Sequence, residues 1–264
     1  MTAALDAMAL RVQMWTRLEV AAQDLPDGPP SDLFECFLQR CRVFESIPFG
    51  GGWVLLLDFD GPVCSVFAGY SAARVAGVLV VVLEAAGVVV SAQLRGESDP
   101  LAVLRWTGVN CAAPVLAVVE DALRAAEMTA VRSATPTPFS REVIVGAGER
   151  GMPIGVVSNN SAPAIRSYLD AHGLARYVGA VVGRPYSAPE RMKPDPGPVL
   201  AAVRALGAEP SSCTLIGDSL TDLEAARAAG VGVIGYANRP WKVGALAGAD
   251  AVVTSMRDIL SCVG

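Results

Sequence analysis

The stretch Trp53-Val-Leu-Leu-Leu-Asp58-Phe-Asp60-Gly61-Pro62 decides how the chain reads. An apolar run long enough for one fully buried strand stops abruptly at two carboxylates spaced i, i+2. In a strand those positions point to the same face, so both acids leave the sheet edge together. Gly61 and Pro62 turn the chain there, Gly by its freedom to take positive φ and Pro by fixing the exit. Two neighbouring carboxylates repel unless a cation or a proton sits between them. A metal-assisted nucleophile with an acid/base partner makes that demand. The plainer alternative is a strand that ends at a solvated Asp-x-Asp-Gly turn.

Composition bounds the rest. At 264 residues, 52% of them apolar, the chain can bury a large core as one domain or as a core with an insertion. Only 18% of residues are charged, the net charge is −5, and no Lys/Arg run exists. This argues against a nucleic-acid partner or an anionic membrane surface. Nineteen of the 21 basic residues are Arg, so the two lysines, Lys193 and Lys242, are informative by position. The six cysteines (36, 41, 64, 111, 213, 262) form no C-x-x-C pair and have no His nearby. They read as buried free thiols rather than zinc ligands or disulfides. Asp6 and Arg11 interrupt the first apolar stretch, unlike a signal peptide, and the expected compartment is the cytoplasm. The apolar segment Val75 to Val90 is broken by Glu84 and flanked by Arg74 and Arg95. It falls short of the roughly 20 residues a membrane span needs and is expected to be a buried helix.

Residues 1–50 read as a helical extension, with helices from Leu5 to about Ala22 and again after Ser31 or Asp32, then a Gly-rich linker. The extension can pack on the main domain or offer a homodimer surface, and both stay open here. Residues 69–137 are Ala/Val-rich and helical, most clearly over Asp121–Arg132. From Pro138 onward the pattern alternates. Helices are predicted over Ser140–Arg150, Ala162–His172, the stretch up to Leu206, and Thr221–Ala229. Strands are predicted over Ile154–Val157, Val178–Gly183, Cys213–Ile216, Val231–Tyr236 and Ala251–Val253. Such alternation predicts a parallel sheet with helices on both faces and ligands at the carboxyl ends of its strands.

Three polar clusters fall at those predicted strand ends. In Ser158-Asn-Asn-Ser161 a hydroxyl followed by main-chain amides opening a helix can hold a phosphate oxygen, or Asn160 or Ser161 can simply cap the helix. In Met192-Lys193-Pro-Asp-Pro196 two prolines restrain a loop lysine, which is either a counter-charge for the carboxylates or a solvated side chain. In Gly217-Asp218-Ser-Leu-Thr-Asp222 two acids one helical turn apart suit a hard divalent cation, or else Asp218 or Ser219 caps the helix and Asp222 favours its dipole.

In this order, Asp-x-Asp, Ser, Lys and Gly-Asp-x-x-x-Asp, the four clusters resemble the motifs of the haloacid-dehalogenase-like hydrolase superfamily. The likeness covers roughly residues 53–67 and 138–254. It implies a Rossmann-like doubly wound α/β core (51–68 and 138–264) with an inserted α-helical cap (69–137) that closes over small substrates. By that resemblance Asp58 is the nucleophile forming an aspartyl-phosphate, and Asp60 the general acid and then base. Ser158 binds the phosphoryl oxygen, with Asn159 and Gly61 also at the phosphate, and Lys193 neutralises charge. Mg²⁺ is implied as cofactor, held by Asp58, the main-chain carbonyl of Asp60 and Asp218, with Asp222 supporting it directly or through water. Pro62 stands where the family usually has Thr, which touches the fine positioning of the turn.

Absences narrow the resemblance to phosphatases of the phosphoglycolate phosphatase kind. Asp60 is present, unlike in the dehalogenase branch. Residues 64–137 hold no Lys for a Schiff base, and the only His, His172, is far from the first motif and reads as a helix-end residue, against a mutase. The partner implied is a small phosphorylated metabolite such as a sugar phosphate, phosphoglycolate or a nucleotide. Candidate substrate readers are Arg74, Arg95, Arg105, Arg124 and Arg132, and Trp106 is a core residue or a pocket lining. The alternatives are a phosphotransferase of the same fold and a non-catalytic phospho-ligand binder. The Arg- and Ala/Val-rich composition fits a GC-rich bacterial source.

Overall fold

The computed structural model describes residues 53–263, with side chains as far as residue 260. The extension expected over 1–50, with Cys36 and Cys41, lies outside them. Strand β1 (Val54–Leu57) forms from four consecutive buried apolar residues. It pairs in parallel with β4 (Ile154–Val157) on one side and β6 (Cys213–Gly217) on the other. Strands β5 (Ala180–Val182), β7 (Gly232–Tyr236) and β8 (Ala251–Val253) complete a six-stranded sheet of order β5-β4-β1-β6-β7-β8. The chain builds one half of the sheet outward from β1, then crosses back to build the other. The order therefore reverses between β1 and β6, where ligands of such sheets bind.

Alternation along β1 serves both faces. Val54 and Leu56 join Leu215 and Val233 in a cluster covered by α7 (Gly197–Ala205) and α8 (Leu220–Ala229). Leu55, Leu57 and Phe59 point the other way, and Phe59 meets Tyr168 of α6 (Ala162–Ala171) edge-on at 5.3 Å. Helix α5 (Ser140–Glu149) precedes β4. The expected element types hold throughout this region, with ends shifted by a residue or two. Two helices were not expected: α9 (Pro240–Ala245), opened by Arg239-Pro240, and α10 (Met256–Val263), which packs against α5.

Between β2 (Cys64–Ser65) and β3 (Thr135–Pro136) the chain makes four helices, α1 (Ala72–Ala85), α2 (Ala92–Arg95), α3 (Pro100–Asn110) and α4 (Ala113–Ala130). The two short strands pair antiparallel and form the stem of this insertion. Helices α1, α3 and α4 enclose their own apolar cluster around Leu79, Leu83, Leu104 and Leu123, and Met192, next to Lys193, is buried in it. Helix α3 runs so close to the core that a Cβ on Gly108 would lie 2.5 Å from Pro189. The expected buried helix over Val75–Val90 is corrected: α1 ends at Ala85 and buries one face only, with Val78 and Val81 43% and 62% exposed. An all-apolar run hides the amphipathic period that would have revealed this. No described helix is long and apolar enough to cross a membrane.

The buried central strand carries the fold, so Leu56→Ala is expected to destabilise the protein by about 2–5 kcal/mol in urea unfolding, the range for a truncated core leucine. A loss under about 1 kcal/mol would show that β1 is not the packing centre.

Candidate active site

Asp58 follows directly on β1, and its N–H donates to the carbonyl of Ile216 in β6 at 2.9 Å. Asp218 follows directly on β6. The parallel ladder thus brings two acids from distant parts of the chain to the same sheet edge, at the point where strand order reverses. Lys193 reaches Asp58 from a third direction, its side chain 2% exposed. Its Nζ donates to Asp58 Oδ1 at 2.9 Å, to Asp222 Oδ1 at 2.5 Å and to the Val157 carbonyl at 2.9 Å. Three acceptors match the three protons of an ammonium, which fixes it in place.

Asn159 holds the loop of Lys193. Its Nδ2 donates to the Lys193 carbonyl at 3.1 Å and its Oδ1 accepts the Lys193 N–H at 2.9 Å. Its side chain is therefore a clamp, with one Nδ2 proton and the main-chain N–H still able to serve another acceptor. Asp222 is fully buried, and its second oxygen accepts from the Asp218 and Ser219 N–H groups at 3.1 Å each and from Ser219 Oγ at 2.6 Å. This is also the capping box of α8, so the capping reading is realised by Ser219 and Asp222. Of the two supports expected from Asp222, its engaged oxygens favour the indirect one. Ser158 is buried at the end of β4. Ser161 takes the N-cap position of α6 without any side-chain capping bond.

Asp60, half-buried, points Oδ1 at the Val66 N–H, 2.9 Å away just past β2. The stem of the insertion thus orients it. Gly61 has φ of 122°, and a Cβ there would lie 2.5 Å from Asp218 Cγ. The missing side chain lets Asp218 approach, a role separate from the phosphate contact expected of Gly61. Lys242 was noted only for its rarity. Its Nζ donates to Asp218 Oδ2 at 2.5 Å, and Asn238 Nδ2 donates to the same oxygen at 3.2 Å. Both lysines of the chain therefore sit on this carboxylate cluster.

Burial is the main force on the titration of these acids. It pushes Asp58 up to about 7, against the pull of Lys193 and with help from Asp222 and Asp218. It raises Asp60 to about 6, opposed by the Val66 N–H, and raises Asp218, opposed by Lys242. Burial works against the charge on Lys193, but Asp222 and Asp58 outweigh it and hold the ammonium above its ordinary value. Carboxylates this reluctant to ionise together call for a cation. Asp58, Asp218 and Asp222 can each bring one oxygen within 4.8 Å of the others, an all-oxygen set that fits a hard divalent ion such as Mg²⁺.

These acids line a cavity of about 450 Å³ whose far wall comes from the insertion, at Phe67, Ser98, Asp99 and Arg105. Of the five candidate arginines only Arg105 is on this wall. Arg95 pairs with Glu84 and Arg124 with Glu120, while Arg74 lies over the Tyr70 ring. Trp106 packs against the insertion's core, and His172 ends α6 with its ring stacked on Tyr168. Cys64 and Cys213 are buried free thiols and Cys111 is half-buried.

Residues 56–230 match the haloacid dehalogenase-like hydrolase family. The chain belongs to that family. Within it, the chain is 31% identical over 129 residues to the phosphoglycolate phosphatase of Escherichia coli K12, covering 48% of this chain. The chain spans about half the length of the curated relatives it matches (50% for that enzyme). Among solved structures, CbbY from Rhodobacter sphaeroides in complex with phosphate superposes with a TM-score of 0.58 at 19% identity, over 77% of this chain and 94% of that one. A hydrolase from Pseudomonas syringae does so with 0.58 at 19%, over 79% and 96%. At these identities the superpositions carry the haloacid dehalogenase-like fold.

Two outcomes follow from the geometry. Gly61→Ala forces a Cβ against Asp218 and is expected to weaken divalent-cation binding at least about tenfold in calorimetry, the effect of displacing one ligand's supporting contact; unchanged affinity would overturn the close-approach argument. Asp58 and Asp60 hold protons in the folded chain between about pH 4 and about pH 6–7 that the unfolded chain has released. Their contribution is complete below pH 4 and is lost as pH rises through that window. The melting temperature of the metal-free protein should therefore fall from pH 5 to pH 7.5 relative to Asp58→Asn, and a divalent cation should restore more at pH 7.5 than at pH 5.

Proposed function

We propose that the chain is a Mg²⁺-dependent phosphatase of small phosphomonoesters, working through an aspartyl-phosphate on Asp58. The observation that carries this reading is the pairing of Asp58 with Lys193 at the sheet's switch point, with Asp60 two residues on and held apart by Val66. Asp58 attacks phosphorus and the bond to the alcohol oxygen breaks. Asp60, its proton retained to about pH 6, gives that proton to the departing oxygen and then draws one from the water that hydrolyses the acyl phosphate. Lys193 offsets charge at Asp58 throughout, and Ser158, by turning its one hydroxyl proton from Asn160 Oδ1 to the ligand, receives a phosphoryl oxygen together with the main-chain N–H of Asn159. Asp58 and Asp218 would hold Mg²⁺, which when bound would supply Lewis-acid stabilisation of the transferring group.

The insertion acts as a cap in this reading, and its wall sets the substrate. A cavity of about 450 Å³ with Arg105, Asp99 and Ser98 opposite the acids fits a small metabolite with a polar or anionic end. The relatives named phosphoglycolate phosphatases make 2-phosphoglycolate the first substrate to try, followed by sugar phosphates and nucleoside monophosphates.

Release of inorganic phosphate from such a panel is expected only with Mg²⁺, and Asp58→Asn should lower turnover at least about 10³-fold. Asp60→Asn should lower kcat about 10²–10⁴-fold. A metal-independent release, or one that survives Asp58→Asn, would defeat the mechanism.

A further inference from the structure

Behind the phosphate-facing turn, a second set of charges is buried. Arg184, just after β5, and Glu120 of α4 have fully buried side chains, and Glu127, two turns further along α4, is 1% exposed. Arg184 Nε donates to both oxygens of Glu120 at 3.1 Å, and Nη1 donates to Glu127 Oε1 at 2.8 Å and to the Asn159 carbonyl at 2.7 Å. Arg124 adds a bond to Glu120 at 2.9 Å. Burial opposes the charge on Arg184, but Glu127 and Glu120 outweigh it. Such a cluster is poor evidence for stability, because desolvation offsets most of the attraction and apolar side chains would seal the same interface.

Its meaning lies in where Glu127 turns its remaining capacity. Glu127 Oε2 accepts the Ser161 N–H at 2.9 Å, and Oε1 accepts Asn160 Nδ2 at 3.3 Å. A carboxylate can only accept, so Asn160 has to present its nitrogen to Glu127 and its Oδ1 to Ser158. Ser158 Oγ donates to that oxygen at 3.2 Å and accepts the Asn160 N–H, also at 3.2 Å. One carboxylate on the insertion thereby fixes the amide orientation that orients the Ser158 hydroxyl. Glu127 also lines the cavity, where it would repel a phosphoryl group but for Arg184.

We propose that Glu127, neutralised by Arg184, is a positioning residue for the phosphoryl-binding turn Ser158–Ser161, so that this turn is set only while α4 is seated on the core. The inference rests on the phosphatase reading for the identity of the anion. Glu120 supplies an internal control. It faces the same arginine with the same charge and burial, yet makes no bond to the turn.

The test compares wild type, Glu127→Gln and Glu120→Gln, each with Mg²⁺, by calorimetric binding of inorganic phosphate, by KM and kcat, and by hydrogen exchange at the Ser161 amide. Glu127→Gln is expected to weaken phosphate binding about tenfold or more, the fold-change for one lost charge-assisted bond. It should raise KM and speed exchange at Ser161, while Glu120→Gln lowers the melting temperature and leaves these three within about threefold, a margin under 1 kcal/mol by the same conversion. Equal effects from the two variants would reduce the cluster to interface packing and overturn the proposal. Should Glu127→Gln fail to fold, Asn160→Ala cuts the same relay while leaving every charge and ion pair of the cluster in place, and unaltered phosphate binding there overturns it equally. A wild type with a protected Ser161 amide that neither binds nor releases phosphate defeats the phosphatase reading itself. Phosphate bound by the wild type with no difference between the glutamate variants defeats the positioning role alone.

Discussion

Four carboxylates, Asp58, Asp60, Asp218 and Asp222, crowd at the carboxyl ends of two adjacent parallel strands, and everything around them answers that repulsion. The chain sets both of its lysines against them, Lys193 between Asp58 and Asp222 and Lys242 on Asp218. Four negative charges against two positive leave a deficit of two, the charge of one divalent cation. The raised titration of Asp58 and Asp60 expresses the same deficit in protons.

The same constraint explains how the insertion is tied to the core. Its stem supplies the Val66 N–H that orients Asp60, and its helix α4 supplies Glu127 to the turn after β4. An acid brought to the wall of a cavity already lined by four carboxylates is a liability unless its charge is cancelled where it stands. Arg184 cancels it with a planar fork that reaches two carboxylates and a main-chain carbonyl at once, which a lysine ammonium could not match in geometry.

How much of this was legible follows from which interactions are local. The strand Ile154–Val157 and the strand Ala251–Val253 have the ends expected of them, because a short apolar run bounded by polar residues announces itself. Asp58, Ser158, Lys193 and Asp218 were legible as strand-end and loop residues, and the topology brings all four to one cavity. The pairings were not. Lys242 meets Asp218 across 24 residues, and Arg184 meets Glu120 across 64, distances over which no spacing rule operates. Glu120, Arg124 and Glu127 do lie on one stripe of α4, a faint signal that this face opposes something charged rather than solvent. Gly61 was read correctly for its backbone and incompletely for its purpose, since the side chain it makes room for comes from another strand.

Where a charged residue sits is thus more telling in this chain than which motif it belongs to. Among the described residues, helices face one another largely through Ala, Val and Leu, and the buried charges gather at the carboxylate cluster and behind the turn after β4. Buried charge costs free energy wherever it is placed. Among the described residues, two lysines, an arginine and six carboxylates gather around a single sheet edge, and the excess of negative charge they leave is what a bound cation would relieve. The apolar frame holds those charges close enough to repel, and a cation placed among Asp58, Asp218 and Asp222 would offset that repulsion.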